Sequence, residues 1–145
     1  LKLVGENKGV VMVNFNPGVV SEAVRLYEDS LQRRAAALGA AGLDSSKLAD
    51  SAKVWQRAAP IATLQQVADH IEHIRDVAGV DHVGLGSDFD GITSVPQGLE
   101  NVSKFPDLVA ELLRRGWKTE DVKKVVGLNA LRVLRDVERA AGRPR

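Results

Sequence analysis

The chain has 145 residues, a formal net charge of +1 and no cysteine, which excludes disulfides, thiolate metal sites and cysteine nucleophiles. Its hydrophobic content of 44% and charged content of 27% are typical of one globular domain with a core. Because the 20 Lys and Arg residues alternate with acidic residues along helical segments, we expect no nucleic-acid partner. No apolar run approaches the roughly 20 residues that span a bilayer, and no signal peptide is visible. The compartment stays undecided, with the cytoplasm as the default.

The first part of the chain predicts a strand followed by helices. The opening ten residues resemble the end of a helix and a turn, so we expect the chain to begin within an element. The run GVVMVNF, residues 9–15, is typical of a strand in a parallel sheet that is covered on both faces. A helical pattern follows over residues 21–38, closed by Gly39 and Gly42, and a weaker one covers residues 45–57.

The middle of the chain predicts the best-defined helix and a second strand. Thr63 and Gln66 form a capping-box pattern, and apolar residues recur on one face until Gly79. The run HVGLGSD, residues 82–88, has the glycines and β-branched residues of a strand that neighbours approach closely.

The last part predicts helices. Pro106 suits the first turn of one, Gly116 ends it, Thr119 is expected to cap the next, and residues 129–142 form a final amphipathic helix. This order of strands and helices predicts a parallel α/β fold. Two parallel strands alone cannot close a barrel.

Two carboxylates follow the second strand, in the sequence GLGSDFDG. Asp88 and Asp90 fall where parallel α/β folds place their chemistry, at the carboxyl end of a strand. Gly91 favours a turn there, so we expect one carboxylate to face the strand mouth and the other to cap the loop. From position alone, Asp88 is equally well explained as a functional group or a loop cap, whereas Asp90 fits a structural role better.

Four segments together resemble one known family. They are VMVNF, QVADHIEHIRDVAGVDHVGLGSDFDG, VPQGLENVSKFPDLVAELLRRGW and NALRVLR. Together they resemble the C-terminal part of the membrane (renal) dipeptidases, in particular the members of bacterial type. The resemblance implies an α/β fold, the C-terminal portion of an amidohydrolase-like (β/α)8 TIM-type barrel that is incomplete in this chain. Residues 1–145 would form a single partial domain with about strands seven and eight, and residues 19–60 a helical, lid-like insertion.

The resemblance also implies a site. Asp88 corresponds to the family's strand-eight Asp, which binds the amino group of the dipeptide and is the candidate proton shuttle. Two zinc ions per complete barrel are implied. Their ligands are expected upstream of Leu1, so no metal ligand is assigned in this chain. The implied partners are a dipeptide substrate and either the missing N-terminal barrel half or a second copy of the chain.

Other polar residues have alternative explanations. His70 and His73 share one side of a helix and could chelate a metal, but a position at the edge of the apolar stripe explains them better. His82 suits a packing or turn role at the base of the strand. Asn14 and Asn16 end the first strand; for Asn16, a substrate-lining role is the alternative to a turn cap.

The tryptophans and arginine pairs are expected to be structural. Trp55 and Trp117 suit packing, while Arg33–Arg34 and Arg114–Arg115 suit solvated helix faces.

Three functions therefore remain open. The first is a zinc-dependent dipeptidase in which a metal-activated water attacks the peptide bond. The second is a non-catalytic truncated fragment or remnant that lacks the metal site. The third is another amidohydrolase-class hydrolase on the same barrel, because a fold does not fix its substrate.

Overall fold

The computed structural model describes residues 1–42, 53–55 and 59–142. In these residues, two short strands pair in parallel: β1 (Val11–Asn14) and β2 (Val83–Ser87). The α-helices are α1 (Lys2–Glu6), α2 (Pro17–Val20), α3 (Glu22–Ala40), α4 (Leu64–Ala78), α5 (Phe105–Arg114), α6 (Thr119–Lys123) and α7 (Asn129–Ala140). Shorter turns of 3-10 helix cover Val80–His82 and Val102–Lys104, and a π-helical turn covers Lys124–Leu128.

The helix α4 packs on the sheet and forms the centre of the core. The predicted capping box is confirmed: the Gln66 backbone N–H donates to Thr63 Oγ1 at 3.4 Å, and the Thr63 N–H donates to Gln66 Oε1 at 3.0 Å. Gly79, at φ 98°, ends the helix. The apolar face is buried through Leu64, Val67, Ala68, Ile71 and Ile74. Local sequence signals and burial therefore agree along this helix.

The two strands are confirmed, but the described residues cover only one face of the sheet. Val13 and Phe15 are buried against the helices, at 1% and 0% exposure, whereas Met12 between them is 44% exposed. The alternation follows from the two-residue period of a strand. Met12 lies across Gly84, where a Cβ would come within 2.7 Å of the Met12 sulfur. Among these residues, only the face of the sheet that packs on the helices is buried, and not both faces as predicted.

The remaining helices follow the predicted order with local differences. Pro106 lies in the first turn of α5 as predicted, and Gly116, at φ 86°, follows its end. The N-cap of α6 is Lys118 rather than Thr119, and α3 continues through Gly39 to Ala40. Of the predicted helix over residues 45–57, residues 53–55 are helical and the rest lie outside the described residues. No described helix has the length and apolar character needed to cross a bilayer.

A buried asparagine joins the last helix to the sheet. Asn129, at 3% exposure, donates from its side-chain amide to the backbone oxygens of Val80 and Val83, at 2.7 and 2.8 Å. Such paired bonds satisfy carbonyl groups at the start of β2 that would otherwise be buried without a partner. The C-terminal helix is thus attached to the amino end of the strand, and the carboxyl end stays open.

Candidate active site

The carboxyl end of β2 turns sharply at Ser87 and Asp88. Both residues have positive φ, 47° and 70°, a conformation that costs non-glycine residues energy. The turn is held by the Asp88 N–H, which donates to the Gly86 oxygen at 2.6 Å, and by the Gly91 N–H, which donates to the Asp88 oxygen at 3.0 Å. The register of the two strands also shifts between Val13 and Asn14, and irregularities of this kind redirect side chains next to functional sites.

Asp88 lines an open cleft of about 510 Å³. The cleft is bounded by Gly86, Ser87, Asp88, Phe89, Asp90, Val95, Glu100, Asn101 and Val102. Three of these nine residues are acidic and none is basic, so the cleft favours a cationic group. Its volume falls in the range of roughly 300–1,000 Å³ that is usual for small-molecule sites.

Glu100 contributes to the negative character of this cleft. Its carboxylate accepts the backbone N–H of Gly98 at 2.7 Å. This bond, and then one to its own backbone, lower the pKa of Glu100 from its ordinary value. Glu100 was not predicted from the sequence, because a Glu in a loop has no distinguishing pattern.

The carboxylate of Asp88 is held from the neighbouring strand. Asn14 Nδ2 donates to Asp88 Oδ2 at 2.7 Å, between residues 74 positions apart in the chain. The predicted position of Asn14 at the carboxyl end of β1 is confirmed, but its contact with Asp88 was not predicted. The contact could have been expected, because the carboxyl ends of paired parallel strands meet at one edge of a sheet.

Behind this contact, the three phenylalanines of the chain pack together. Phe15 is the first residue after β1 and lies 5.8 Å, ring centroid to ring centroid, from both Phe89 and Phe105. The Phe15 N–H also donates to the Ser87 oxygen at 2.9 Å. Edge-to-face contacts of this kind favour one relative orientation, so they fix both strand ends against the start of α5.

Asp90 also lines the cleft, but it does not cap the loop. Within the described residues its side chain forms no hydrogen bond or ion pair, and it is exposed to solvent. The described residues therefore give no support to the predicted structural role of Asp90 as a loop cap. The turn that follows Asp88 is closed by backbone hydrogen bonds, so it requires no second carboxylate.

Asn16 caps a helix. Its Oδ1 accepts the Gly18 N–H at 2.9 Å, at the N-terminus of α2, which confirms the turn-cap alternative. Because Asn16 does not line the cleft around Asp88, the substrate-lining alternative gains no support from the geometry.

The histidines lie away from this cleft. Burial, and then the neighbouring His73, lower the pKa of His70, in agreement with a boundary position. His82 Nδ1 donates to the Gly9 oxygen at 2.8 Å and joins the amino ends of the strands, which confirms its packing role. Across residues 1–42, 53–55 and 59–142, no three His, Asp or Glu side chains could hold a metal ion together. These residues therefore do not fit a metal centre by themselves.

One of the expected solvated arginines is partly buried. Arg114 is 71% exposed as predicted, but the side chain of Arg115 is only 16% exposed. Arg115 bonds to Glu111 and to Glu72 of α4, each at 2.7 Å. The expectation for Arg115 is wrong because two of its carboxylate partners, Glu72 and Asp69, lie 43 and 46 residues away in sequence. Trp117 is 7% exposed and part of the core, as expected.

Comparisons with known proteins agree on one family. A family model of membrane dipeptidases (peptidase family M19) matches residues 1–144. The dipeptidase tcpJ of Claviceps purpurea is 55% identical over 80 residues, which cover 55% of this chain and 19% of that protein. The dipeptidase aclJ of Aspergillus oryzae is 55% identical over 83 residues, 57% of this chain and 20% of that protein. The matched region thus spans about a fifth of the length of these relatives.

Solved structures match over more of the chain. The probable dipeptidase PvdM from Pseudomonas aeruginosa is 25% identical, with a TM-score of 0.70 over 90% of this chain and 37% of that one. A metallo peptidase from Rhodobacter sphaeroides, liganded with a phosphinate mimic of the dipeptide L-Ala-D-Ala, is 26% identical. Its TM-score is 0.59 over 88% of this chain and 27% of that one. The chain belongs to the membrane dipeptidase family, peptidase family M19.

Proposed function

We propose that the protein is a metal-dependent dipeptidase, in which Asp88 binds the amino group of the substrate and carries a proton during hydrolysis. The observation that carries the proposal is the position of Asp88, at the carboxyl end of a parallel strand and in the wall of an acidic cleft. Membership of the dipeptidase family supports the reaction class. The dipeptide mimic in the Rhodobacter sphaeroides relative supports the substrate class.

The charge of the cleft suits the free end of a dipeptide. A dipeptide carries an ammonium group next to the peptide bond that is broken, and the carboxylates of Asp88, Asp90 and Glu100 line the cleft without a Lys or Arg. A carboxylate that accepts a hydrogen bond from the ammonium group fixes the position of the bond to be cleaved. The same carboxylate is within reach to take a proton and give it to the leaving amine.

The fold proposal places this chain within a larger barrel. Residues 1–145 form the C-terminal portion of a (β/α)8 TIM-type barrel, with β1 and β2 as its last two strands. The catalytic edge of such a barrel is the carboxyl end of its strands, which is where Asp88 lies. The inner face of the sheet, marked by the exposed Met12, would pack inside the barrel against the missing N-terminal half or a second copy of the chain.

Metal ions belong to this proposal through other segments, because the described residues form no metal site. The proposed metal is zinc, with two ions per complete barrel and ligands upstream of Leu1. Bound zinc would supply the activated water that attacks the peptide carbonyl. In this chain, Asp88 is the group that binds the amino group of the substrate and transfers a proton.

The helix α3 is the proposed lid. It follows β1 through the short helix α2, so it starts at the carboxyl edge of the sheet. A second cleft of about 560 Å³ lies beside it, and its lining includes Val24, Tyr27 and Leu31 of α3 together with residues 59–62 and 93–95. As a whole, the proposed lid is residues 19–60, of which residues 43–52 and 56–58 lie outside the described residues.

Paired variants test the role of Asp88. In the protein at its full natural length and loaded with zinc, Asp88→Asn should lower kcat/KM for Ala-Ala dipeptides by roughly a hundredfold or more. The metal content, measured by elemental analysis, should stay unchanged. Asp90→Asn is the matched control, since it removes a carboxylate from the same cleft that has no hydrogen bond in the described residues, and its activity should fall far less than that of Asp88→Asn.

Two results would contradict the proposal. Near-normal activity of Asp88→Asn would remove Asp88 from the mechanism. A full-length wild-type protein that binds zinc and hydrolyses no dipeptide would favour another amidohydrolase-class reaction, and one that binds no zinc would favour the non-catalytic remnant.

A further inference from the structure

One side-chain contact connects the two strand ends at the candidate site. Asn14 Nδ2 donates to Asp88 Oδ2 at 2.7 Å. In the part of the chain that the structure describes, the Asp88 carboxylate accepts this hydrogen bond at Oδ2, and its Oδ1 accepts none from the protein. The orientation of the carboxylate thus depends on a single amide from β1.

The orientation of that amide is itself fixed. The backbone N–H of Asn16 donates to Asn14 Oδ1 at 2.7 Å. Because a backbone N–H can only donate, the oxygen of the Asn14 amide must face Asn16 and its NH₂ group must face Asp88. Aspartate at position 14 would keep the first bond and lose the second, whereas alanine would lose both.

The backbone around Asp88 increases the need for such a contact. Ser87 and Asp88 both have positive φ, and strained residues persist only where surrounding contacts hold them. Asn14 lies opposite Ser87, at the point where the strand register shifts. The contact therefore acts where the backbone is least regular.

We propose that Asn14 is the positioning residue of Asp88. Its amide binds Oδ2 and leaves Oδ1 for the ammonium group or the transferred proton of the substrate. This inference rests on the proposed function of Asp88 and extends it, because it assigns a different role to each carboxylate oxygen: Oδ2 binds Asn14, and Oδ1 binds the substrate. Asn14 itself touches no substrate in this arrangement.

The test uses Asn14→Asp in the protein at its full natural length. This variant has nearly the same shape and keeps the bond from the Asn16 N–H, but it replaces the donor to Asp88 Oδ2 by a second carboxylate that repels the first. Wild-type activity in Asn14→Asp would therefore exclude a positioning role. In Asn14→Ala, which adds no charge, a positioning role predicts a fall in kcat of about tenfold to a hundredfold, the usual effect of losing a hydrogen bond to a charged group. The metal content of both variants should stay close to that of the wild type.

Asn7→Ala provides the matched control for the turn. Asn7 Oδ1 accepts the Gly9 N–H at 2.8 Å, the same type of bond that Asn14 accepts from Asn16, at the opposite end of β1. Its loss should leave kcat unchanged.

Two further readouts separate positioning from other effects. In a crystal structure of Asn14→Ala, the Asp88 carboxylate should occupy a different rotamer from the wild type. In the Asp88→Asn background, Asn14→Ala should cause little further loss of kcat, since residues that act through one another are not additive.

The outcomes distinguish this inference from the proposed function. If Asp88→Asn is inactive while Asn14→Asp keeps wild-type kcat, or if Asp88 keeps its rotamer in Asn14→Ala, the positioning role is overturned and the role of Asp88 stands. If Asp88→Asn is itself active, the proposed function fails. Should Asn14→Ala not fold, wild-type kcat in Asn14→Asp would still overturn the positioning role.

Discussion

The indole N–H of Trp117 donates to the Glu72 carboxylate at 3.0 Å, which joins the segment after α5 to the middle of α4. The guanidinium of Arg75 lies over the same indole ring, 4.6 Å from its centroid. Burial raises the pKa of Glu72, but the hydrogen bonds from Trp117 and Arg115 outweigh it and hold that pKa below its ordinary value. The hydrogen bond from Trp117 therefore joins a core side chain to Glu72 and favours the charged form of that carboxylate.

Trp117→Phe should separate these two contributions. It keeps an aromatic ring in the core and removes the donor to Glu72, so we expect a loss of about 1 kcal/mol in the free energy of unfolding. The pKa of Glu72 should rise, because its carboxylate loses a donor. Chemical denaturation and a side-chain NMR titration of Glu72 measure the two effects. An unchanged Glu72 pKa would contradict the role of the indole.

Arg115 should contribute much more to stability than its neighbour. Its guanidinium reaches Asp69 at 2.6 Å and the Gln65 backbone oxygen at 3.0 Å, besides Glu111 and Glu72. Arg115→Leu would leave carboxylates without their cation in a partly buried place, so we expect a loss of about 2–3 kcal/mol.

Arg114→Leu is the control for this change. Arg114 lies one position earlier on the same helix, also binds Glu111, and is 71% exposed. Because exposed ion pairs contribute little, its loss should be clearly smaller in the same denaturation experiment. Equal losses for the two variants would show that the buried network does not stabilise the fold.

Glu111 should make the stability of the protein depend on pH in the acidic range. Hydrogen bonds from Arg114 and then Arg115 lower the pKa of Glu111 from 4.5 to about 2. A carboxyl group with a lowered folded-state pKa stabilises the protein above its unfolded-state pKa, and this contribution is lost as the pH falls toward the folded-state pKa. The difference in unfolding free energy between the wild type and Glu111→Gln should therefore be full above pH 4.5 and vanish near pH 2. Denaturation series at several pH values measure it, and a difference that grows on acidification would refute it.

Gly91→Ala should disturb the candidate site without unfolding the protein. A Cβ on Gly91 would overlap Oδ1 of Asp88, and that carboxylate can rotate away because it is the free end of a side chain. We expect a large fall in dipeptide hydrolysis with little change in melting temperature. Gly39→Ala is the control: it lies in α3 with no atom within 4 Å of the new Cβ, so it should keep activity and gain helix stability. Full activity in Gly91→Ala would show that the carboxylate can move freely.

The sequence predicted best where the signal is local. Thr63 and Gln66 start α4 as expected, and Gly79 ends it, because capping depends on residues within one turn. Both strands were predicted to within about two residues at each end. The extension of α3 through Gly39 was missed because a glycine on an exposed helix face lowers stability without necessarily ending the helix.

The candidate site was predicted in part. The position of Asp88 in the wall of a cleft could be expected from the strand that carries it, but its partner Asn14 lies 74 positions earlier. Arg115 shows the same limit, since its burial depends on carboxylates from α4. The N-cap of α6 is Lys118 instead of the predicted Thr119, and among the described residues the side chain of Asp90 caps no loop. In both turns, more than one polar residue could have taken the predicted role.

The parallel pairing of β1 with β2 also bears on how the protein folds. Helix α4 and strand β2 are close in sequence and can dock early, whereas pairing β1 with β2 closes a long loop and is entropically costly. We therefore expect the sheet to form late, and mutations in β1 chiefly to alter the unfolding rate. The carboxylate and amide of the candidate site would then meet only in the final folding step, so a partly folded chain would have its helices in place and no competent centre.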